Sequence, residues 1–247
     1  MTAQPEVRIL ESPQALFHAG AEEFVRLANE AVRARGRFTV ALAGGSTPNN
    51  LYTLLAGSGK DLVPWDKICF FFGDERHVPP DHHDSNYRMA CETMLSKVPV
   101  PRENVFRVPA ENPDASAAAY AYEQTLQKFF HLKKGEFPSF DLVLLGMGPD
   151  GHTASLFPHT SALHDQMRLV AANWVEKFKT YRITFTYPVI NHAGWVIFLV
   201  AGVEKQEVLR EVLHGKSAPE QFPSQGVRPV NGRLIWMVDQ AAAGKLG

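Results

Sequence analysis

The chain contains 247 residues, with 25 lysines and arginines against 26 aspartates and glutamates, which gives a formal net charge of −1. This balance excludes a strongly basic nucleic-acid-binding protein and an acidic tail protein, so we expect no nucleic-acid partner. Hydrophobic residues make up 45% of the chain, which excludes a disordered chain and suffices for a sizeable core. The length suits one large α/β domain, so we expect a single domain over residues 1–247.

Cysteine content and hydropathy bear on the cellular compartment. Cys69 and Cys91, the two cysteines, form neither a CxxC motif nor a disulfide framework, which favours a reducing cytosol. The longest apolar run, Trp195 to Val203, is far shorter than the roughly 18 residues that cross a bilayer. The segment Met1 to Leu10 lacks the basic and apolar regions of a secretory signal. We therefore expect a cytoplasmic protein without membrane association.

The predicted elements begin with a long amphipathic helix that Ser12 caps, that Pro13 starts and that Gly36 ends. Short apolar runs follow, separated by helical stretches and then by a long loop, His214–Asn231. The runs are Phe38–Ala43, Ile68–Phe72, Val105–Val108, Asp141–Leu145, Leu169–Ala172, Arg182–Thr186, Trp195–Ala201 and Leu234–Val238. Most are apolar throughout, which is typical of parallel strands covered by helices on both faces. The sequence therefore predicts an α/β three-layer sandwich with a mainly parallel sheet, and ligands should bind at the carboxyl ends of its strands.

A glycine-rich loop, Gly44-Gly45-Ser46-Thr47-Pro48, follows the first of these strands and precedes a helix. With Thr47 as N-cap and Pro48 at the first helical position, free N–H groups and the positive helix end would meet at one point. This arrangement indicates a phosphate-binding loop, and an ordinary capped glycine turn is the alternative. Because the loop ends in proline, it departs from the G-x-S-x-G nucleophile elbow, which disfavours Ser46 as an acyl-enzyme nucleophile.

The next strand is followed by a charged segment that runs from Gly73 through Asp74 and Arg76 to Arg88. Charged side chains at the carboxyl end of a strand can form an acid–base or anion-binding site, and arginine suits phosphate oxygens. The spacing of His77, His82 and His83 fits no common metal-ligand pattern, so we interpret these histidines as solvated and predict no metal.

A third loop, from Gly146 to Thr153, contains Asp150 and His152 on a glycine-supported turn. Its formal match to G-x-G-x-x-G is weak evidence for a dinucleotide, because Asp150 would face the pyrophosphate. A histidine beside a carboxylate is the usual composition of a general base, although a capped turn with a surface histidine has the same sequence. Two cations at strand ends, Arg182 and Lys205, could neutralise a phosphate if they converge on the first loop.

Taken together, these segments resemble the 6-phosphogluconolactonase family. The matching motifs occur in the same order over nearly the whole chain, which makes the resemblance more specific than any single motif. They are Ala43–Pro48, Gly73–Arg76 with Val78-Pro79 and Ser85-Asn86, Gly146–Pro158, Arg182–Thr184, Pro188–Asn191 and Gly202–Lys205.

The resemblance implies a Rossmann-like sheet between helix layers, as in glucosamine-6-phosphate deaminase and ribose-5-phosphate isomerase. It implies hydrolysis of a phosphorylated sugar lactone, 6-phospho-D-glucono-1,5-lactone, in the pentose phosphate pathway. A lactone is an activated ester, so no cofactor, metal or covalent nucleophile is needed. The similar deaminases carry a glutamate where Phe157 stands here, which argues against ring opening and amine loss. We expect a monomer or a weak homo-oligomer.

Site roles follow from the resemblance. His152 is expected to take a proton from the attacking water, and Asp150 to orient its imidazole. Asp74 is the candidate for contacts with the ring hydroxyls. The expected phosphate-binding residues are Gly44, Gly45, Ser46, Thr47, Arg182 and Lys205, with Arg76 as a further candidate. The alternatives are a sugar-phosphate deaminase or isomerase, a non-catalytic sugar-phosphate-binding protein, and a serine esterase that uses Ser46.

Overall fold

The computed structural model describes residues 5–246, which form two sheets and the helices around them. The strands are β1 (Glu6–Leu10), β2 (Phe38–Leu42), β3 (Ile68–Phe72), β4 (Asp74–Arg76), β5 (Leu142–Leu145), β6 (Val170–Val175), β7 (Thr180–Phe185), β8 (Trp195–Val200) and β9 (Arg233–Asp239). The α-helices are α1 (Pro13–Arg35), α2 (Ser46–Ala56), α3 (Asn86–Ala90), α4 (Ala115–Phe130), α5 (Tyr187–Asn191), α6 (Gln206–His214) and α7 (Gln240–Ala243).

The larger sheet has six parallel strands in the order β1-β9-β8-β5-β2-β3. Strands β2, β3 and β5 are buried at every position, as expected where helices cover both faces of a parallel sheet. The predicted α/β fold with a mainly parallel sheet is therefore confirmed. Its core includes a parallel stack of the Phe198 and Trp236 rings, whose centroids are 3.8 Å apart across neighbouring strands.

Helix α1 agrees with its prediction at both ends. The Ser12 hydroxyl accepts a hydrogen bond from the N–H of Ala15 at 3.1 Å, and Gly36 ends the helix in the left-handed conformation at φ 74°. No helix among residues 5–246 is long and apolar enough to cross a membrane.

A second sheet, which the sequence did not predict, contains three antiparallel strands in the order β4-β7-β6. The runs Leu169–Ala172 and Arg182–Thr186 do form strands, β6 and β7, but these belong to the antiparallel sheet and not to the parallel one. The turn between β6 and β7 spans only residues 176–179, which is too short for the crossover that parallel strands require.

Other element assignments were also wrong. The run Val105–Val108 forms no strand and makes only an isolated bridge between Val105 and Phe70. Strand β1 was missed because it is short and largely exposed at the sheet edge. Strand β4 was taken for a loop because each of its residues is charged.

The buried hydroxyl of Tyr122 joins α4 to β3, since it accepts from the N–H of Phe72 at 2.8 Å and lies 3.2 Å from the Phe72 carbonyl. We expect Tyr122→Phe to lower the free energy of unfolding by about 1–3 kcal/mol, because it leaves a buried N–H without a partner. Chemical denaturation measures the change. Tyr120→Phe on the same helix is the control, since Tyr120 is 63% exposed, and an equal loss in both variants would contradict the explanation.

Candidate active site

A cavity of about 300 Å³ lies at the carboxyl ends of the parallel strands, where the loops after β2, β5 and β8 meet strand β4. Most of the predicted site residues line this cavity, which fits the location of ligand sites in open α/β sheets. They are Gly44, Gly45, Ser46, Thr47, Asp74, Arg76, His152 and Lys205.

The loop after β2 leads into α2 through Gly44 and Gly45, and each glycine is required for a different structural reason. Gly45 has a φ of 102°, a conformation that side chains rarely adopt. A Cβ on Gly44 would collide with the side-chain amide of Asn86, so this glycine lets the loop pack against the charged segment. The assignment of Thr47 as N-cap was wrong, since α2 begins at Ser46 and Gly45 holds the cap position without a capping side chain. The first-turn N–H groups of α2 therefore remain available to an anion.

Strand β4 distributes its acidic residues to opposite faces because side chains alternate along a strand. Asp74 faces the cavity, where its Oδ2 accepts from the Ser155 hydroxyl at 2.6 Å and its Oδ1 lies 3.5 Å from the amide nitrogen of Asn86. The Asp74 carboxylate is thus held in place with little exposure to solvent.

Glu75, on the other face of β4, anchors the charged segment. Its carboxylate accepts from the backbone N–H groups of Arg76, Asn86 and Tyr87 at 2.7–2.8 Å and from the Ser85 hydroxyl at 3.2 Å. Burial raises the pKa of Glu75, and the backbone hydrogen bonds oppose this effect. The buried carboxylate therefore fixes the start of α3 against β4.

Three cations without an acidic partner lie at the cavity or beside it. Arg76 and Lys205 line the cavity, and Arg182 lies directly opposite Arg76 in the β4–β7 register. Between residues 5 and 246, no carboxylate oxygen comes within 4.0 Å of the charged nitrogens of these three residues. Burial and the neighbouring Arg76 charge both lower the pKa of Arg182. An anion bound here would relieve this repulsion.

Arg182 is placed differently from the other two cations. It is not among the residues that line the cavity; instead, its guanidinium carbon lies 5.2 Å from the centre of the Phe178 ring. Because directly opposed residues of an antiparallel pair share a face, Arg182 nevertheless lies on the same face of the small sheet as Arg76.

The loop after β5 brings together the predicted base and its partner. The Nδ1 atom of His152 lies 2.5 Å from Oδ1 of Asp150, and Nζ of Lys177 lies 3.4 Å from Oδ2 of Asp150. Burial alone would raise the pKa of Asp150, but the hydrogen bond and charge of His152, with Lys177, hold this pKa well below its usual range. The ionised carboxylate favours a proton on Nδ1, which leaves Nε2 as the proton acceptor.

Local packing fixes the orientation of the imidazole. A Cβ on Gly148 would collide with Nδ1 of His152, so glycine is required beneath the ring. The Phe157 ring stacks on the imidazole with centroids 4.1 Å apart and an interplanar angle of 26°. Gly151 has a φ of 77° and its carbonyl accepts from both the N–H and the hydroxyl of Ser224. His152 therefore lies on a constrained turn.

The sequence did not indicate the role that several residues play around the site. Asn86 and Ser155 belong to the recognised motifs, but their contacts with Asp74 depend on segments distant in the chain. Lys177 and Phe178 lie in the turn between β6 and β7, and no motif in the sequence predicted that this turn would reach the site.

His82, His83 and Asp84 bring three potential metal-ligand atoms within 4.8 Å of one another. Their side chains lie outside the cavity lining, and that of His83 is 76% exposed. The carbonyl of Asp84 accepts from the Arg76 guanidinium at 3.3 Å.

Comparison with known proteins identifies the family of the chain. The family model for glucosamine-6-phosphate isomerases and 6-phosphogluconolactonase matches residues 11–236. The chain belongs to this family. The 6-phosphogluconolactonase of Nostoc sp. is 45% identical over 97% of this chain and 98% of its own length. The 6-phosphogluconolactonase of Synechocystis sp. is 43% identical over 98% of both chains. The resemblance found in the sequence is thereby confirmed.

Solved structures of the glucosamine-6-phosphate isomerase/6-phosphogluconolactonase family agree with the fold described above. The 6-phosphogluconolactonase of Trypanosoma brucei superposes with a TM-score of 0.88 at 31% identity, covering 99% of both chains. A monomeric glucosamine-6-phosphate deaminase superposes with a TM-score of 0.80 at 19% identity, covering 97% of this chain and 99% of its own, which shows a shared fold alone.

The position of His152 above Gly148 gives a direct test of the site geometry. We expect Gly148→Ala to lower activity on the order of 10²-fold, because the new methyl group displaces the imidazole from its seat. Steady-state hydrolysis measures the loss, and circular dichroism checks the fold. Gly194→Ala is the control, since it lies outside the cavity lining and its Cβ would make only ordinary contacts of 3.5–3.6 Å with the Asp141 and Phe140 carbonyls. Full activity in Gly148→Ala would contradict this placement of the ring.

Proposed function

We propose that the chain hydrolyses 6-phospho-D-glucono-1,5-lactone to 6-phospho-D-gluconate, the second step of the oxidative pentose phosphate pathway. Relatives that match over almost the whole chain support this activity. One structural observation supports it further: the cavity that contains His152, hydrogen-bonded to Asp150, also contains cations without an acidic partner.

In the proposed mechanism, Nε2 of His152 removes a proton from water as the water oxygen attacks C1 of the lactone. Asp150 keeps the imidazole in the required tautomer and stabilises its cation. The bond from C1 to the ring oxygen then breaks, and protonated His152 returns the proton to that oxygen. Each such transfer typically contributes about 10²- to 10⁴-fold in rate.

The phosphate group is proposed to bind at the amino end of α2. The backbone of Gly44, Gly45, Ser46 and Thr47 presents N–H groups and the positive helix end at one wall of the cavity. Arg76 and Lys205 would add positive charge at the same cavity. Arg182 would add a third positive charge from its position opposite Arg76. Binding energy from this remote group holds C1 in place against the water.

Asp74 is proposed to accept hydrogen bonds from the ring hydroxyls of the sugar. Its carboxylate lines the cavity, and its hydrogen bond from Ser155 limits the rotation of the side chain. A fixed acceptor at this position would orient the ring between the phosphate site and the base.

A sugar-phosphate deaminase is the first alternative, since it would share the phosphate site. The resemblance implies a glutamate at this position in the similar deaminases, so Phe157, which stacks on His152, disfavours this reaction. Ammonia release from glucosamine 6-phosphate distinguishes the two activities. A non-catalytic sugar-phosphate-binding protein would bind the ligand saturably without accelerating lactone opening. An esterase using Ser46 would accumulate a trapped acyl-enzyme.

The chain is proposed to act as one domain, with a cavity built from segments between Ala43 and Lys205. Two further properties remain predictions from the sequence: that the protein is a monomer or a weak homo-oligomer, and that it is cytoplasmic.

His152→Gln should lower lactone hydrolysis by about 10²- to 10⁴-fold, because it removes the general base while keeping a polar side chain of similar size. A coupled assay with freshly generated lactone measures the rate above spontaneous opening. The matched control is His214→Gln at the exposed end of α6, which should retain activity. Near-normal hydrolysis by His152→Gln would refute the proposed mechanism.

Arg76→Gln and Lys205→Gln should each lower kcat/KM for the phosphorylated lactone by about 10- to 100-fold, the equivalent of one lost charge-assisted hydrogen bond. Hydrolysis of unphosphorylated glucono-1,5-lactone should change much less. The control is Arg210→Gln, an exposed residue that pairs with Glu211 at 2.9 Å on α6. Equal losses for both lactones would place the phosphate elsewhere.

A further inference from the structure

The turn of the β6–β7 hairpin, residues 176–179, places two consecutive side chains against different parts of the site. Nζ of Lys177 lies 3.4 Å from Oδ2 of Asp150, the carboxylate that orients the base. The next residue, Phe178, extends toward Arg182, one of the cations assigned to the phosphate. One short turn therefore contacts both the chemical and the anion-binding parts of the site.

The Phe178 ring contacts two groups of the site. The guanidinium carbon of Arg182 lies over the ring, 5.2 Å from its centre, within the range of a cation–π interaction. The ring also meets Phe157 edge to face, with centroids 5.8 Å apart and an interplanar angle of 79°. Phe157 in turn stacks on the His152 imidazole. A continuous series of contacts thus connects Arg182 to the base.

The exposure of Phe178 argues against a role in core packing. The residue is 46% exposed, whereas Phe157 beside it is only 6% exposed. A half-exposed aromatic side chain gains less from burial than a fully buried one, so burial alone does not explain why the ring lies against both a cation and a buried ring. The hairpin stem is independently fixed, since β6 and β7 pair over six positions, Val170↔Phe185 to Val175↔Thr180.

We propose that Phe178 is a positioning residue that couples phosphate recognition by Arg182 to the orientation of His152. A bound phosphate restrains the Arg182 guanidinium, and the guanidinium restrains the Phe178 ring above it. The ring then limits movement of Phe157 and of the imidazole on which Phe157 stacks. This inference rests on the proposed lactone hydrolysis and adds a route by which the remote phosphate improves the chemical step.

A double-mutant cycle between Arg182 and Phe178 tests the coupling with the phosphorylated lactone alone. The four proteins are the wild type, Arg182→Gln, Phe178→Leu and the double variant. We expect Phe178→Leu to lower kcat by about 5-fold or more when Arg182 is present, and by less than about 2-fold when it is absent. A residue that only supports the hairpin would lower kcat by the same factor in both backgrounds.

Tyr181→Leu provides the matched control, because Tyr181 is another half-exposed aromatic residue of the hairpin, at 40% exposure. Its ring packs against Trp174 at a centroid distance of 5.1 Å, away from Phe157. The loss of kcat in the Tyr181→Leu, Arg182→Gln double variant should equal the product of the losses in the two single variants. Phe178→Tyr keeps the ring and should restore the kcat of the wild type.

The outcomes separate the two proposals. If the wild-type protein does not accelerate lactone opening, the proposed function itself is wrong. If the wild type is active and the loss of kcat in the double variant equals the product of the two single-variant losses, the coupling is refuted while the proposed function stands. If Phe178→Leu does not fold, the same cycle with Phe178→Met decides between multiplication and coupling. Loss of kcat in Phe178→Tyr would also overturn the inference.

Discussion

The site depends on the point where the chain leaves the parallel sheet and joins the antiparallel one. At Gly73, the backbone N–H donates to Leu42 of β2 at 2.9 Å, and the carbonyl accepts from Phe185 of β7 at 2.8 Å. One residue thus holds the two sheets together immediately before β4. Because β4 then pairs with β7, Asp74 and Arg76, which line the cavity, lie opposite Thr184 and Arg182 in the register. Without this junction, the carboxyl ends of the parallel strands would carry a glycine loop but no paired arginines.

The charge distribution explains why this junction needs the buried Glu75. Two arginines side by side repel each other, and burial disfavours the charge of Arg182 further. Glu75 accepts three hydrogen bonds from Ser85, Asn86 and Tyr87, which hold β4 against the start of α3. A fourth, from the backbone N–H of Arg76, helps to keep Arg76 in place despite that repulsion. The net charge of −1 conceals this pair of neighbouring arginines. They are available to an anion because neither forms an ion pair within 4.0 Å among the described residues.

The sequence predicts those features whose signal is local. Asp150 and His152 are two residues apart, and the glycines around them mark a tight turn, so their pairing was expected. Strand β3 was predicted with its observed bounds because it is apolar throughout. The β4–β7 register was not predictable, since charged Asp74–Arg76 has no strand pattern and its partner lies about a hundred residues away. The Phe178 contacts depend on that same unpredicted sheet.

Fold similarity alone does not decide which reaction this chain performs, because a deaminase superposes almost as well as a lactonase. One feature that bears on the reaction is Phe157, on the loop after β5, whose ring stacks on the His152 imidazole. An aromatic ring here offers no proton to a sugar ring oxygen, but its stacking restrains the imidazole of the proposed base. A lactone needs only a positioned water and one base, since its carbonyl is already activated. The stacked Phe157 ring is therefore consistent with hydrolysis, and in the proposed mechanism the rate depends on the orientation of His152 that this ring supports.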